Sequence, residues 1–245
     1  MQVTSTDMQN NFGKYLKFAE AREEIIITRN GKAVATLKAL SDSDPDLLQK
    51  KASAYATSYT RVSHEEFLEL SEASDQRFEL IDGILYNLAS PSFQHQHAVH
   101  ELHGAFYGWF KGKPCTPLTA PFDVTLQKSV GNTCVVQPDL VVICDKEHMD
   151  EHGKYQGIPK LVVEVLSPST RSRDVIQKLD LYRACGIQEY WVVDPMKQQI
   201  TVYIFRDKEI ADICYYTNAA DSFAASQVFD GLHISMSDFI CLSSH

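Results

Sequence analysis

Apolar residues in the first forty positions recur in a pattern that predicts a small β-α-β-β domain, residues 1–40. A short strand at 2–5 precedes a helix from about 7 to 21, in which apolar side chains recur every three or four residues. The apolar runs at 23–28 and 32–40 are typical of strands, and Asn30-Gly31 between them is a strong hairpin-turn signal.

The pattern changes at residue 41 and again near residue 59. Residues 41–58 lack apolar periodicity and are rich in serine, aspartate and alanine, which indicates a linker. From there, residues 59–245 predict a second domain in which strands and helices follow each other irregularly. Its predicted elements are a hairpin at 77–89, a helix at 94–111, strands at 121–127, 137–145 and 161–166, a helix at 172–185, and strands at 189–194 and 199–205. This order predicts an α/β (α+β) fold with a mixed sheet flanked by helices.

Composition and charge narrow the class of protein. The chain has 245 residues, 44% of them hydrophobic and 22% charged, which is ordinary for a globular protein with a substantial core. No apolar run approaches the roughly 18 residues of a membrane span, and the N-terminus lacks the order of a secretory signal, so we expect a cytoplasmic protein without a membrane partner. The net charge of −9 argues against bulk non-specific binding of nucleic acid but allows a local basic face. The six cysteines form no CxxC pair, so we expect reduced core thiols rather than zinc ligands or disulfides.

Two carboxylates interrupt apolar strands of the second domain, Asp139 in QPDLVVIC and Glu164 in LVVEVL. A buried, unpaired charge is costly, so each acid needs a partner. If the two strands are neighbours, the carboxylates repel each other, and a divalent cation removes that repulsion. Mg²⁺ binds one or two carboxylates together with water and substrate phosphates, and a bound metal lowers the pKa of its water. The pair therefore predicts a site for Mg²⁺ or Mn²⁺, assisted by the carbonyl of Val165.

Lys178 lies on the helix that follows Glu164, with Asp174 and Tyr182 at i−4 and i+4 on the same face. In one interpretation Lys178 reaches over the end of the strand and steadies an attacking water or the charge of a transition state. In the other, Lys178 forms a buried salt bridge with Glu164 that has only a structural role.

Several longer segments of the second domain carry a family resemblance. They are RFELIDG at 77–83, ASPSFQHQ at 89–96, APFDVTL at 120–126, VVQPDLVVICD at 135–145 and PKLVVEVLSPSTRSRDVIQKLDLYRACGIQEYWVVDP at 159–195. Through them, residues 59–245 resemble the Uma-two family of restriction-endonuclease-like proteins, in the PD-(D/E)XK nuclease superfamily. The resemblance implies that Asp139 and Glu164 are metal ligands and that Lys178 replaces the motif lysine, whose usual position is Leu166 here. It also implies that Glu79 and His95 lie near the site.

The first domain resembles the N-terminal domain of prevent-host-death antitoxins through VTSTDMQNNFGKYLKFAEA and EEIIITRNGKAVATL. That resemblance implies a unit that dimerises and binds operator DNA, and it leaves a toxin partner open. Arg29, Asn30 and Lys32 at the hairpin tip are candidates for phosphate contacts. The alternative is a dimerisation or packing module that does not bind DNA.

Two further groups of residues bear on function. His95, His97, His100 and His103 invite a zinc-hydrolase interpretation, but no flanking cysteine or HExxH pattern supports it. Arg171 and Arg173, beside the predicted metal site, are candidates for binding a nucleic-acid backbone. The sequence thus predicts a homodimeric, Mg²⁺- or Mn²⁺-dependent endonuclease acting on DNA. The main alternative is a non-enzymatic DNA-binding regulator of toxin–antitoxin type with a nuclease-like interaction domain.

Overall fold

The computed structural model describes residues 1–20, 24–38, 61–74, 76–167, 173–219 and 222–236. The chain divides into two compact units, residues 1–59 and 60–245. The predicted linker, 41–58, lies outside the described residues. No helix in the described ranges has the length and apolar character needed to cross a membrane.

The first unit has the predicted β-α-β-β order, except that its helix is broken. Its elements are β1 (Gln2–Thr4), α1 (Ser5–Asn10), α2 (Phe12–Glu20), β2 (Ile25–Arg29) and β3 (Lys32–Leu37), and β2 pairs parallel with β1 and antiparallel with β3. The break falls at Asn11, whose backbone N–H and side-chain amide both bond to Asp7. Asn30 and Gly31 both have positive φ, as the hairpin turn requires.

The second unit is built around a six-stranded mixed sheet, which confirms the predicted fold class. Its elements are α3 (His64–Glu72), β4 (Phe78–Ile81), β5 (Ile84–Asn87), α4 (Phe93–Phe110), β6 (Thr116–Thr119), β7 (Val124–Ser129), β8 (Asn132–Val136), β9 (Leu140–Ile143), β10 (Leu161–Val165), α5 (Leu179–Cys185), β11 (Glu189–Asp194), β12 (Gln199–Arg206), β13 (Glu209–Thr217), β14 (Phe223–Ala225) and β15 (His233–Ser235). The large sheet has the order β13-β12-β11-β10-β9-β6, and a second sheet has the order β5-β4-β8-β7. Within the large sheet only β10 and β11 run parallel.

The central strand β10 is buried on both faces, and the two faces pack against different helices. Leu161, Val163 and Val165 belong to the core that contains the apolar side of α4. Val162 belongs to the core that contains Leu181 and the other buried residues of α5. Because side chains alternate along a strand, Glu164 points to the same face as Val162, toward α5. This alternation decides which helix can supply a partner for its carboxylate.

The state of the cysteines and the start of the helix after β10 differ from the sequence prediction. A disulfide joins Cys115 to Cys144, next to the pairing of β6 with β9, so the expectation that all six cysteines are reduced is wrong for this pair. The helix predicted at 172–185 begins, in the described part, as a π-helix at Arg173–Lys178 and becomes α-helical only from Leu179. It ends at Gly186 in a left-handed conformation, as predicted.

Candidate active site

Asp139 and Glu164 meet at the start of β9, where the antiparallel strand β10 continues beyond it. The antiparallel pairing of β10 with β9 covers only Leu161–Val163, and Val163 lies opposite Leu140, so Glu164 and Val165 extend past the first residue of β9. In place of a strand partner, the Val165 N–H donates to Asp139 Oδ2 over 2.8 Å. The side chain of Asp139 thus continues the ladder and lies beside Glu164.

Glu164 is buried, and two donors from the neighbouring helix share one of its oxygens. Lys178 Nζ and the Tyr182 hydroxyl each lie 2.7 Å from Glu164 Oε1. Among the described residues, Glu164 Oε2 accepts no hydrogen bond. One oxygen of the carboxylate is therefore fixed by the protein, while the other is left for a different partner.

Lys178 connects three elements of the second unit through one buried ammonium group. Besides Glu164, its Nζ lies 2.9 Å from Glu79 Oε1 on β4 and 3.8 Å from Asp174 Oδ1 one helical turn earlier. Glu79 Oε1 also accepts the backbone N–H of Gln137, two residues before Asp139. The sequence prediction that Lys178 reaches Glu164 agrees with this geometry, and the lysine also ties Glu79 to the same cluster.

The π-helix brings the side chains of Asp174 and Lys178 to the buried face. Asp174, Lys178 and Tyr182 are all buried there, while Ile176 faces solvent. The Tyr190 hydroxyl donates to the carbonyl oxygen of Asp174 over 2.9 Å, which holds the first turn of this helix against β11. Single π-turns are frequent at functional sites, since the wider turn re-aims side chains.

His95 completes the cluster from the first turn of α4. Its Nε2 lies 3.2 Å from Asp139 Oδ2, and its backbone N–H is capped by the Ser92 hydroxyl. Its Nδ1 is buried and makes no hydrogen bond with any residue that the structure describes. Burial alone would lower the pKa of His95, but the hydrogen bond and negative charge of Asp139 outweigh burial and raise it.

The charges of the cluster favour the protonated form of Lys178, and its burial and carboxylates disfavour the ionised form of Glu164. Burial raises the pKa of Glu164, and the nearby carboxylates of Asp139 and Asp174 raise it further, while Lys178 opposes both effects. Burial would lower the pKa of Lys178, but the charges of Glu164 and Glu79 outweigh it and raise the pKa above its usual value. The three carboxylates around its Nζ therefore favour the charged form of Lys178.

These side chains line a cavity of about 380 Å³. Its walls include Glu79, His95, Asp139, Glu164, Val165 and Lys178, together with polar residues of the segment before α4. Arg77 also lines it and is the one cavity residue with a guanidinium group in the described part of the wall. A cavity in which several acids and one ammonium converge is a default candidate for an active site.

The donor set at this cavity fits a hard divalent cation. No group of three or more His, Cys, Asp or Glu side chains with metal-site geometry occurs among the described residues. Mg²⁺ does not need such a group, because one or two carboxylates with water and substrate oxygens satisfy it. Asp139, the Oε2 atom of Glu164 and the Val165 carbonyl supply oxygen ligands, and a cation there would offset the repulsion that raises the pKa of Glu164. The oxygen donors at this position therefore fit the ligands that the sequence predicts for a divalent cation.

The remaining candidate residues fall into three groups. Arg29, Asn30 and Lys32 form the exposed tip of the β2–β3 hairpin in the first unit. Arg171 and the side chain of Arg173 lie outside the described residues. Of the zinc candidates, His97 pairs with Glu101 at 3.8 Å and His100 is exposed, and they form no metal cluster in the described ranges.

Sequence reasoning did not assign roles to Tyr182 and Asp174, although both were placed on the Lys178 face. Their spacing of four residues on either side of Lys178 was the available signal. What the sequence did not reveal is that this face is the buried one. A face that carries an acid, a lysine and a tyrosine is ordinarily exposed, so the signal becomes clear only once Glu164 and Glu79 are placed opposite it.

Comparisons with known proteins agree with this picture. A family model described as "Putative restriction endonuclease" (Uma2) matches residues 64–237, and a model described as "Antitoxin Phd_YefM, type II toxin-antitoxin system" matches residues 1–57. The chain is 27% identical to "Uncharacterized protein slr1290" of Synechocystis over 183 residues, which cover 71% of this chain and 94% of that protein. It also resembles the crystal structure of "a putative nuclease belonging to DUF820" from Anabaena variabilis, with a TM-score of 0.60 and 20% identity, covering 74% of this chain and 98% of the other. At that identity the likeness concerns the fold.

Proposed function

Because the chain belongs to the Uma2 family, described as "Putative restriction endonuclease", we propose that its second unit hydrolyses phosphodiester bonds of DNA with Mg²⁺ or Mn²⁺. The observation that carries this proposal is the convergence of Asp139, Glu164 and Lys178 at one polar cavity. Two neighbouring carboxylates can hold the divalent cation that assists phosphodiester hydrolysis, and an ammonium beside them can offset negative charge in the transition state.

Asp139 and Glu164, with the carbonyl of Val165, would hold the cation. When bound, a divalent cation lowers the pKa of a coordinated water and stabilises negative charge on the phosphate oxygens. The protein prepares this site by fixing Asp139 Oδ2 with the Val165 N–H and with His95. It fixes Glu164 Oε1 with Lys178 and Tyr182, which leaves Oε2 for the cation.

Lys178 acts as a permanent positive charge at the wall of the cavity. It orients Glu164 and brings an ammonium close to the position where a phosphate would gain negative charge in the transition state. Glu79 and Asp174 hold the ammonium in place from the side and from the preceding turn. His95 keeps a proton on the nitrogen that faces Asp139, and so orients that carboxylate.

The first unit has a different role in this proposal. Its match to an antitoxin family supports a unit that makes the chain a homodimer and places it on DNA. Arg29 and Lys32, at the exposed hairpin tip, would contact phosphates, and Asn30 would shape the turn between them. If so, replacing Arg29 and Lys32 by alanine weakens DNA binding about equally for all sequences and reduces its salt dependence.

A plasmid-nicking assay with Mn²⁺ tests the proposed activity. We expect the wild-type protein to nick supercoiled DNA and Glu164→Gln to have no measurable activity, since the amide cannot replace an anionic ligand. Glu209→Gln is the matched control, because the Glu209 side chain is 80% exposed on β13. Equal nicking by the wild type and by Glu164→Gln would indicate a contaminating nuclease and refute the assignment.

A second candidate function is a DNA-binding regulator in which the nuclease-like unit serves only as an interaction module. It is favoured by the closed ion pair between Lys178 and Glu164, which needs no metal, and by the antitoxin match of residues 1–57. Calorimetric titration with Mn²⁺ separates the two functions. Absence of metal binding, together with salt-sensitive binding to duplex DNA, would support the regulator.

A further inference from the structure

One face of α4 carries a stripe of ring-bearing side chains that the proposed catalytic cluster does not use. Phe93, His97, His100 and Tyr107 follow each other at intervals of four, three and seven residues, so they lie on one side of the helix. We call these four residues the ring stripe. The opposite side of the helix, with Leu102 and Phe106, is buried in the core.

The ring stripe is open to solvent over most of its length. Phe93 is 68% exposed and Tyr107 is 55% exposed, while His100 is exposed and His97 is half-buried. Gly104 lies between His100 and Tyr107, and a Cβ added there would meet no atom within 4 Å. None of these four rings belongs to the buried core of the unit, and several exposed rings on one helical face indicate a surface for a partner.

The ring stripe starts at the mouth of the catalytic cavity. Ser92, His95 and Gln96, which flank Phe93 on the first turn of α4, all line that cavity. From Phe93 to Tyr107 the helix rises about 21 Å, at roughly 1.5 Å per residue. The positive end of the helix dipole faces the cavity, and the exposed Lys111 follows the far end of the helix. A polyanion on the ring stripe would therefore meet Lys111 at the far end, and at the near end the helix dipole and the divalent cation that the proposed function places among the cavity carboxylates.

We propose that the ring stripe binds the unpaired strand of a nucleic acid whose scissile phosphate lies in the cavity. Planar rings in a row stack on unpaired bases of any sequence, whereas bases within a duplex are already stacked and cannot reach them. The substrate class of the nuclease is then single-stranded DNA, or DNA with an unpaired segment beside the cleavage site. This inference rests on the proposed function, because it takes the cavity as the place of cleavage. It also gives the histidines of α4 a role other than binding zinc.

Fluorescence anisotropy with labelled oligonucleotides tests the proposal on the full-length protein. A single-stranded oligonucleotide and its duplex are titrated in EDTA, so that binding is measured without metal-dependent cleavage. We expect tighter binding of the single strand, a loss of about 5- to 150-fold for Phe93→Ala and little change for Phe93→Trp, from the usual contribution of one stacked base. Tyr215→Ala is the matched control, because Tyr215 is a 65% exposed ring on β13, away from α4.

Three results would overturn the proposal. The first is equal affinity of wild type and Phe93→Ala for the single strand. The second is preferential binding of the duplex. In the third, Tyr107→Ala or Gly104→Leu converts an oligomer to a smaller species in sedimentation without changing oligonucleotide binding, which would make the ring stripe an interface between copies of the chain.

The failure of this proposal is distinguishable from the failure of the proposed function. If no metal supports cleavage but Phe93→Ala still weakens binding of the single strand, the ring stripe stands and the nuclease assignment fails. If duplex DNA is cleaved equally by wild type and Phe93→Ala, the nuclease stands and the ring stripe fails.

Discussion

Replacement of Lys178 by methionine tests whether the buried cluster is held by one ammonium group. Methionine has nearly the same length but no charge, so the substitution leaves Glu164, Glu79 and Asp174 around an apolar side chain. At the observed separations of 2.7 to 3.8 Å, each contact amounts to about 4 to 6 kcal/mol of attraction for an effective dielectric constant of about 20. Desolvation of the charges offsets most of that, and the net loss on breaking a buried pair is about 3–5 kcal/mol.

Urea denaturation followed by tryptophan fluorescence measures this loss. Both tryptophans, Trp109 and Trp191, belong to the second unit, so the signal reports on the unit that contains the cluster. We expect the free energy of unfolding to fall by about 3–5 kcal/mol in Lys178→Met and to recover in part when Glu164→Gln is added, because the second change removes one of the stranded charges.

Lys154→Met provides the matched control for this experiment. Lys154 Nζ lies 3.2 Å from Asp123, but the lysine side chain is 36% exposed. We expect this pair to contribute no more than about 1 kcal/mol. Equal losses for Lys178→Met and Lys154→Met, both below about 1 kcal/mol, would refute the reasoning, because the cluster would then be solvated rather than buried.

Three further predictions concern single groups of the second unit. In an NMR titration, the pKa of His95 should lie above 6.5 and should fall in Asp139→Asn. Because the pKa is raised in the folded state, the pair of His95 and Asp139 stabilises the fold fully below the unfolded pKa and loses that contribution as the pH rises through the folded pKa. An unchanged pKa of His95 in Asp139→Asn would contradict this. Glu189→Gln should cost about 1–3 kcal/mol in urea denaturation, because buried Glu189 accepts the N–H groups of Gln227, Val228 and Trp191, whereas exposed Glu209→Gln should cost almost nothing. Gly104→Ala should raise the midpoint of thermal unfolding, because alanine in the middle of a helix stabilises the fold by about 0.5–1 kcal/mol relative to glycine. Gly186→Ala should lower the midpoint, because Gly186 has a φ of 88°. The reverse order of the two midpoints would contradict a left-handed helix end at Gly186.

The buried cluster around Lys178 was largely predictable because charge in an apolar strand demands a partner. Asp139 and Glu164 stand out for this reason, and the helix that follows Glu164 offers Lys178 within a short distance along the chain. Glu79 did not stand out by its own pattern, since a glutamate near a hairpin is ordinarily exposed. Its burial depends on the approach of β4 to the junction before β9, a long-range contact that no local pattern encodes.

The features that the sequence did not reveal depend on which strands pair with each other, or on side chains that compete with the backbone for hydrogen bonds. The disulfide between Cys115 and Cys144 follows from the pairing of β6 with β9. Because β6 contains Pro117, its sequence does not predict a strand. Proline is tolerated there because β6 is the edge strand of the sheet. The break at Asn11 arises because its side chain competes for the backbone of Asp7, whereas the apolar pattern continues across it.

The most direct test of the central claim is an anomalous difference map from crystals soaked in Mn²⁺. We predict one strong peak between Asp139 and Glu164, close to the carbonyl of Val165, with Lys178 still bound to Glu164 Oε1. The same peak should be absent in crystals of Glu164→Gln. A map without a peak at this position at saturating Mn²⁺, in crystals of protein that nicks DNA in solution, would contradict the account.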